Sequence, residues 1–150
     1  MTTDGNKAIV RRWLEVWSTG DLGVLQEIIA PNFVNHVSGS TILPESGPEF
    51  YAQQVAAYRA SFPDNLSSVD ALIAEGDLVV CRFSSTATHL GSWGTPWGAA
   101  TPPTGRRIGV SGITISRIAE GKIAEQWREW DRLGLQEQLG SIPVAAAART

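Results

Sequence analysis

The chain has 150 residues, of which 43% are apolar and 18% are charged, and its formal net charge is −3. This composition is typical of one ordinary globular domain and excludes a disordered or fibrous chain. The small negative charge also argues against a nucleic-acid partner, because binding phosphates needs clustered cations.

The first part of the chain is predicted to be mainly helical. Apolar residues at helical spacing predict an amphipathic helix from about Asp4 to Ser18. Asp21 is predicted to be the N-cap of a short second helix that runs through Ile29 and is stopped by Pro31. A third helix is predicted to begin at Ser46, which has capping-box spacing to an acidic residue, and to run to about Ser61.

The second part of the chain is predicted to be mainly strands. A short strand, Phe33–Val37, already lies between the second and third helices. After the third helix, β-branched and small residues alternate, and they predict strands at about Ser67–Ala74, Leu78–His89, Arg106–Arg117 and Lys122–Glu129. A short last helix is predicted after Asp131, which suits an N-cap, and it ends at Gly140. Residues 145–150 are predicted to be a frayed tail.

The connection formed by residues 91–105 is too long for a tight hairpin. Long ordered loops of this kind are often lids or binding loops. Its two tryptophans, Trp93 and Trp97, predict an apolar lid over a ligand. The whole chain has six tryptophans, and their large flat rings suit either a core or the wall of a pocket for a ring-containing ligand, with core packing the default for any single one.

Helices followed by clustered strands indicate an α+β fold, with the helices on one face of a strongly bent antiparallel sheet. A sheet that curls over three helices forms a cone, and we expect a ligand site at its mouth. Cys81, the only cysteine, lies in an apolar run and cannot form an internal disulfide. The N-terminus has no apolar signal core, and no apolar run reaches the roughly 18 residues that span a bilayer, so we expect a cytoplasmic protein without membrane contact.

Short motifs occur in a fixed order over a core of about residues 7–140. They are Phe62-Pro63-Asp64, Ala74-Glu75-Gly76-Asp77, Thr88-His89-Leu90-Gly91, Pro102-Pro103-Thr104-Gly105-Arg106-Arg107, Gly121-Lys122-Ile123, Trp130-Asp131-Arg132-Leu133-Gly134-Leu135 and Gln138-Leu139-Gly140. This ordered set resembles the SnoaL-like polyketide cyclases, the ester cyclase-like group of the NTF2-like fold. The resemblance implies a single domain, residues 1–150, that forms a cone-shaped α+β barrel and assembles as a homodimer.

The resemblance also implies an activity in secondary metabolism, namely antibiotic biosynthesis. Characterised members close a ring by intramolecular aldol condensation of a polyketide methyl ester. They use no metal or cofactor: an aspartate on the last strand removes a proton, and a histidine on the preceding strand assists. In this sequence the aspartate position is Arg128 and the histidine position is Thr114.

Arg128, Thr114 and His36 are therefore the candidate catalytic residues. A guanidinium cannot act as a base, but it can bind a carboxylate or stabilise an enolate; a structural salt bridge is the alternative. Histidine is the side chain that ordinarily changes charge near neutral pH, so His36 is a candidate acid or base, and it lies where its strand is expected to open at the mouth of the cone. A strand of period two places Ala124, Gln126, Arg128 and Trp130 on the pocket side. The candidate substrate-binding residues are Asn35, Tyr51, Tyr58, Trp93, Trp97, Gln126 and Trp130.

Other groups are weaker candidates. Glu125 or Glu129 could replace the missing aspartate only if a bulge shifted the strand register. Asp131 and Asp64 suit capping or turns, and His89 suits an anchor for the lid. The two histidines and one cysteine are scattered without ligand spacing, so no metal site is predicted.

The leading hypothesis is a cofactor-independent cyclase, an isomerase-type enzyme, that acts on a hydrophobic polyketide-like small molecule. Its aromatic cone folds the substrate, and a donor assists a closure that can be pericyclic or a conjugate addition instead of a standard aldol reaction. The first alternative is a non-catalytic protein that binds a hydrophobic small molecule in the same pocket. The second is an NTF2-like hydrolase or isomerase that uses another carboxylate.

Overall fold

The computed structural model describes residues 2–37, 47–95 and 98–143. Its helices are α1 (Thr3–Thr19), α2 (Gly23–Ile28), α3 (Pro48–Ser61) and α4 (Arg132–Leu139). Its strands are β1 (Ile29–Val37), β2 (Leu66–Glu75), β3 (Leu78–Thr88), β4 (Trp93–Thr95), β5 (Gly98–Thr101), β6 (Arg107–Ala119) and β7 (Lys122–Trp130). The predicted order of helices and strands is confirmed, with β4 and β5 added within the predicted lid loop. Ser46, Trp97 and the predicted frayed tail lie outside the described residues.

The boundaries of α2 differ from the prediction. The helix begins at Gly23 with Leu22 at the N-cap, and no side chain of the described residues caps it, so the predicted N-cap role of Asp21 is wrong. Its end is also earlier than predicted, because the chain turns directly into β1 after Ile28. Pro31 lies inside β1, where the pairing with β7 shifts register between Ile29 and Val34. Proline has no N–H to give to a ladder, which fits an irregular stretch of edge strand.

Five strands form one bent sheet in the order β1-β7-β6-β3-β2, and β4 pairs only with β5. The pairs β7·β6, β6·β3 and β3·β2 are antiparallel, as predicted. β1 pairs with β7 in parallel, so the prediction of a purely antiparallel sheet is wrong for this edge strand. A parallel neighbour needs a long connection. Here the chain from β1 to β7 carries α3 and the rest of the sheet.

Helices α1, α2 and α3 pack on the inner face of the sheet and bury the main core. Trp13 of α1 and Phe33 of β1 are among its largest fully buried side chains. A second, smaller core lies under α4 and is built from Phe62, Ala87, Ile108, Val110, Leu135 and Leu139. The strict alternation along β3 and β6 places one residue in two on this inner face. The expected cone of helices under a curved sheet is therefore present.

Asp131 connects β7 to α4 and gives a direct test of the capping prediction. Its carboxylate accepts a hydrogen bond from the Gly134 N–H at 2.8 Å, as an N-cap should. We expect Asp131→Ala to lower the free energy of unfolding by about 1 kcal/mol, measured by urea denaturation. Asp21→Ala is the matched control, because Asp21 does not cap α2. Equal losses for the two variants would contradict this account.

Candidate active site

A cavity of about 170 Å³ lies between α1, α3 and the inner face of the sheet. Six of its fifteen described lining residues are aromatic. The lining residues are Trp13, Leu14, Trp17, Gln54, Ala57, Tyr58, Asn65, Ser67, Phe83, Ser85, Trp93, Val110, Arg128, Trp130 and Arg132. Tyr58 lies at the centre of a set of edge-to-face ring contacts with Trp17, Trp93 and Trp130. Such a wall suits a ligand with flat rings.

Arg128 is the most buried charge of the wall. Its side chain projects from the inner face of β7, and the residue is only 8% exposed. Nη1 donates to the Tyr51 hydroxyl at 3.4 Å, and Cζ lies 5.2 Å from the centre of the Trp17 ring. No carboxylate of the described residues lies within ion-pair distance of Arg128. The structural salt bridge considered for Arg128 is therefore not present in this part of the chain.

Several polar atoms of the cavity wall are buried without a hydrogen-bond partner among the described residues. Three are N–H donors: Nε1 of Trp17, Nε1 of Trp93 and Nε of Arg128. Two others are the hydroxyl of Tyr58 and Oδ1 of Asn65. Buried donors without partners are costly, and a bound ligand with oxygen acceptors would satisfy them. Carbonyl oxygens on an otherwise apolar molecule fit this requirement.

Neither tyrosine near Arg128 can act as a base at neutral pH. Burial raises the pKa of Tyr51, although the positive charge of Arg128 acts in the opposite direction. Burial also raises the pKa of Tyr58. Both hydroxyls therefore stay protonated at neutral pH and can only donate or accept hydrogen bonds. Tyr51 already accepts a hydrogen bond from Nε1 of Trp13, so it helps to position Arg128.

The predicted site residues that face inward fall into two groups in the structure, and His36 faces outward. Arg128, Tyr58, Trp93 and Trp130 line the cavity. The other predicted residues that point inward do not line the cavity. Tyr51 accepts a hydrogen bond from Arg128, and the others are Asn35, Thr114 and Gln126. Trp97 lies outside the described residues.

Thr114 lies directly beside Arg128, as the resemblance implies for the catalytic pair. The two residues are partners across β6 and β7. Thr114 is fully buried, and its hydroxyl has no partner among the described residues. On the same side, Gln126 donates to the Ser116 hydroxyl at 3.0 Å. These polar groups support the strand beneath Arg128 and do not reach the cavity, so the placement of Gln126 in the substrate wall needs correction.

His36 lies on the opposite, outer face of the sheet. Its ring stacks on Trp127 at 5.3 Å and 8°, and Nε2 lies 2.9 Å from the Glu125 carboxylate. The expected position of His36 at the mouth of the cone is therefore not what the structure has. The reason is the parallel pairing of β1 with β7, which aligns His36 with the outward-facing Trp127. The neighbouring Asn35 aligns with Gln126 and points inward.

A bulge is present in β7, but it does not turn a glutamate inward. Arg117 pairs with Glu125 and the next residue, Ile118, pairs with Ile123, so Ala124 is the extra residue. Ala124 was predicted on the pocket side, but Ile123 takes the inward position at this point. Glu125 stays on the outer face, where hydrogen bonds, first from His36 and then from Arg117, hold its pKa below the usual range. Glu129 is exposed, so neither glutamate replaces the missing base in the cavity.

His89 anchors the predicted lid. Its backbone exchanges hydrogen bonds with Gly105 and Arg106, and Nδ1 accepts from the Thr104 N–H at 3.1 Å. Burial lowers the pKa of His89, so the ring is neutral and suited to a structural role. The loop is also attached to the end of α3, because Leu90 and Gly91 both donate to the Ser61 carbonyl. Trp93 is thus held at the cavity.

Eleven of the fifteen described lining residues were not among the site residues predicted from the sequence, and Trp13, Trp17 and Arg132 are examples. Trp13 and Trp17 are four residues apart on α1, a spacing that core and cavity residues share, so no local signal separates the two roles. Arg132 follows the predicted N-cap, where it looks like an ordinary helix residue. Among the described residues, no three potential ligands are grouped as a metal site would need, and no helix combines the length and hydropathy needed to cross a bilayer.

The chain is similar in sequence and in structure to known cyclases. The aklanonic acid methyl ester cyclase DauD of Streptomyces sp. (strain C5) is 29% identical over 134 residues, which cover 88% of this chain and 80% of that protein. The nogalonic acid methyl ester cyclase of Streptomyces nogalater is 29% identical over 129 residues, 85% of this chain and 91% of that protein. The solved structure of IdmH from Streptomyces antibioticus matches with a TM-score of 0.75 at 29% identity, over 90% of this chain and 98% of that one.

The fold is thus the NTF2-like α+β fold that the sequence predicted. The curated relatives are cyclases, and the matches extend over most of the chain. A model of the SnoaL-like polyketide cyclase family matches residues 7–139, which include every described cavity residue. The chain therefore belongs to the SnoaL-like polyketide cyclase family.

Proposed function

We propose that this chain closes a ring in a polyketide-like natural-product intermediate, by folding the substrate and polarising one of its carbonyl groups. The observation that carries the proposal is Arg128, a nine-tenths buried guanidinium that faces an aromatic cavity without a carboxylate partner among the described residues. A buried, uncompensated charge costs several kcal/mol of stability. The Trp17 ring and the Tyr51 hydroxyl offset only part of that cost. A ligand oxygen that becomes negative during the reaction would supply the missing partner.

The cavity wall accounts for the folding of the substrate. The six aromatic rings of the wall would restrict an otherwise flexible substrate to shapes in which distant carbons meet. Holding reacting groups in such a shape can lower a barrier by several kcal/mol without any proton transfer. The buried N–H groups of Trp17 and Trp93 would bind carbonyl oxygens of the substrate and fix its position along the wall.

Arg128 accounts for the polarisation. When a nucleophilic carbon attacks a conjugated or free carbonyl group, a π bond becomes a new C–C bond and electron density moves to oxygen. A pre-positioned donor at that oxygen is worth roughly 10²- to 10³-fold in rate. Arg128 stays charged, so it can donate throughout the reaction.

The described wall offers no group that could act as a base. It contains no carboxylate and no imidazole, and its tyrosine is protonated. This supports closures in which the substrate reacts as its own enol, by conjugate addition or by a pericyclic step, over an aldol reaction driven by an enzyme base. In a conjugate addition the enol O–H proton is passed to the enolate that forms on the acceptor, whereas a pericyclic step only reorganises bonds. In both cases the product is an isomer of the substrate. The hydrolase alternative needs a carboxylate in the cavity. Because no described lining residue has one, this alternative is the weaker.

The test uses the purified protein and the uncyclised product of the other enzymes of its own gene cluster. We expect ring closure faster than the spontaneous reaction, without change of mass, and unaffected by EDTA and dialysis. Mass spectrometry with NMR of the product measures it. Tight binding of that compound without acceleration would instead support the alternative of a non-catalytic binding protein.

We also propose the homodimer that the resemblance implies. The outer face of the sheet, opposite the cavity, exposes Ile73, Ile113, Ile115 and Trp127. Apolar side chains grouped in this way support contact with a second copy. All the described residues that line the cavity belong to a single chain.

A further inference from the structure

Three polar side chains of the cavity wall form one hydrogen-bonded group near the start of β2. Asn65 precedes β2, Ser67 lies on it, and Ser85 is the partner of Ser67 on β3. Nδ2 of Asn65 lies 3.1 Å from Oγ of Ser67, and the two serine hydroxyl oxygens lie 2.6 Å apart. The strand β6 separates β3 from β7, so this group and Arg128 lie on different strands of the wall. The proposed ring closure gives the group no role.

The side-chain amide of Asn65 has a fixed orientation. Nδ2 donates to the backbone carbonyl of Trp17 at 3.0 Å as well as to Ser67. A carbonyl oxygen can only accept, so exchanging the amide nitrogen and oxygen would lose this bond. Asn65 is only 3% exposed, and its Oδ1 has no partner among the described residues. The wall therefore contains a buried acceptor that is costly to leave unpaired.

Oδ1 of Asn65 differs in polarity from the other unpartnered atoms of the wall. Nε1 of Trp17, Nε1 of Trp93 and Nε of Arg128 can only donate, and the hydroxyl of Tyr58 can do either. Oδ1 can only accept. A ligand with carbonyl oxygens alone would satisfy the donors and leave Oδ1 unpaired. A ligand that also carries a hydroxyl group satisfies both kinds of atom.

An unpartnered oxygen does not by itself indicate a ligand, as Asn6 of α1 shows. Asn6 is also 3% exposed, its Nδ2 donates to the backbone carbonyl of Gly76, and its Oδ1 has no partner among the described residues. Asn6 does not belong to the described wall of the cavity, however. Asn65 combines the unpaired oxygen with a position in that wall, where a ligand can reach it.

We propose that Asn65 is a specificity-determining residue whose Oδ1 accepts a hydrogen bond from a ring hydroxyl of the substrate. This rests on the proposed function, and it adds a substrate class: a phenolic ketone, with carbonyl oxygens for the donors of the wall and a hydroxyl for Asn65. A phenol suits the cavity because its O–H is attached to a flat ring, which matches an aromatic wall. An amide oxygen accepts the hydrogen bond without removing the proton, so the hydroxyl stays neutral.

The experiment compares three flat ketones that differ at one ring position: 6-acetyl-2-naphthol, its methyl ether and 2-acetylnaphthalene. Isothermal titration calorimetry measures their dissociation constants at about pH 6, well below the pKa of a phenol. Because only the naphthol can donate to the buried acceptor, we expect it to bind the wild-type chain at least roughly fivefold more tightly than either other ketone. The unsubstituted ketone shows that the added methyl group of the ether is not the cause.

Asn65→Leu removes the acceptor at similar side-chain volume. It should reduce the preference for the naphthol to less than about twofold and change the affinity for 2-acetylnaphthalene less than about threefold. Asn6→Leu is the matched control, because it makes the same substitution at an equally buried asparagine outside the described wall, and it should keep the preference. Thermal melting verifies that each variant is folded.

A second measurement needs no variant. In amide NMR spectra of the wild-type chain, the side-chain NH₂ signals of Asn65 should shift when the naphthol binds and shift much less with the methyl ether. The corresponding signals of Asn6 should not move with either compound.

The proposal is overturned if either other ketone binds the wild-type chain as tightly as the naphthol, or if the naphthol does not bind at millimolar concentration. It is also overturned if Asn65→Leu keeps the preference, if Asn6→Leu loses it, or if the Asn65 signals respond equally to the naphthol and its ether. Its failure can be told apart from failure of the proposed function. Ring closure of an O-methylated substrate as fast as that of the free phenol would refute only the role of Asn65. Preference for the naphthol without any ring closure would refute only the cyclase function.

Discussion

Arg128→Met should slow ring closure by roughly 10²- to 10³-fold and leave the free energy of unfolding unchanged or higher by about 1–2 kcal/mol. The rate falls because methionine cannot donate to an oxygen that becomes negative. Stability does not fall, because the variant removes a buried charge. Arg128 is only 8% exposed, and it has no carboxylate partner among the described residues. Methionine also fills most of the same volume beside the Trp17 ring. Steady-state kinetics and urea denaturation of the same preparation measure the two quantities.

Arg117→Met is the matched control for this prediction. Arg117 lies on the neighbouring strand but on the outer face, where it contacts Glu125 at 3.4 Å. The same substitution there should leave ring closure unchanged. Arg128→Lys should recover part of the lost rate, since it restores a charge without the planar fork. A parallel fall in rate and stability for Arg128→Met would show that the guanidinium is a structural group.

The local pattern of β7 predicts which residues in the second half of the strand lie on the inner face of the sheet, although only Arg128 and Trp130 of these line the cavity. Gln126, Arg128 and Trp130 alternate with the outward residues as a strand of period two requires, and the structure confirms their common face. The pattern failed at Ala124, because the bulge there depends on how β6 pairs with β7 and not on the residues of β7 alone. Register is a property of two strands, so one strand cannot reveal a bulge.

The same reasoning explains the error for His36. The sequence shows a short strand and a titratable ring, but not which neighbour the strand pairs with. Parallel pairing with β7 aligns His36 with Trp127 and moves its imidazole to the outer face. A contact across 89 positions of sequence, from His36 to Glu125, then holds it there. Long-range pairing of this kind has no local signature.

The cavity wall shows the same limit for apolar residues. Trp13 and Trp17 lie four residues apart on the amphipathic helix α1, and both pack in the main core. Trp13 is almost fully buried, and both side chains also border the cavity. Core and cavity walls use the same residue types on the same helix face. Whether such a residue borders the cavity depends on how much space the facing residues of α3 and β7 leave beside it.

Arg128 links these observations to the chemistry. The position that the family resemblance assigns to a carboxylate base carries the opposite charge here, and its cross-strand partner is Thr114 in place of a histidine. Reversing the sign of the charge changes what the cavity can stabilise, from a proton leaving carbon to negative charge arriving on oxygen. The donors of Trp17 and Trp93 have the same polarity as Arg128. Catalysis by shape and donors is the chemistry that this set of groups supports.

Gly112→Ala should lower the free energy of unfolding by about 3 kcal/mol, or roughly 10 °C in Tm for a chain of this size. Gly112 lies on the inner face of β6, opposite Trp130. An added Cβ would lie 2.6 Å from the Phe83 ring, 2.7 Å from the Glu129 carbonyl oxygen and 2.8 Å from Cβ of Trp130. Because one of these neighbours is backbone, a change of side-chain rotamer cannot make room. Phe83 and Trp130 also line the cavity, so ring closure should slow as well.

Gly109→Ala is the matched control, since it makes the same change three residues earlier on the same strand. Its added Cβ faces outward and meets only the Ser85 carbonyl oxygen, at 3.9 Å. Alanine restricts the unfolded chain more than glycine does, so this variant should be as stable as the wild type or more stable by about 0.5 kcal/mol. Thermal melts of both variants measure the difference. If Gly112→Ala were as stable as Gly109→Ala, the close packing of β6 and β7 beneath Trp130, and with it the position of Arg128 two residues earlier, would need another explanation.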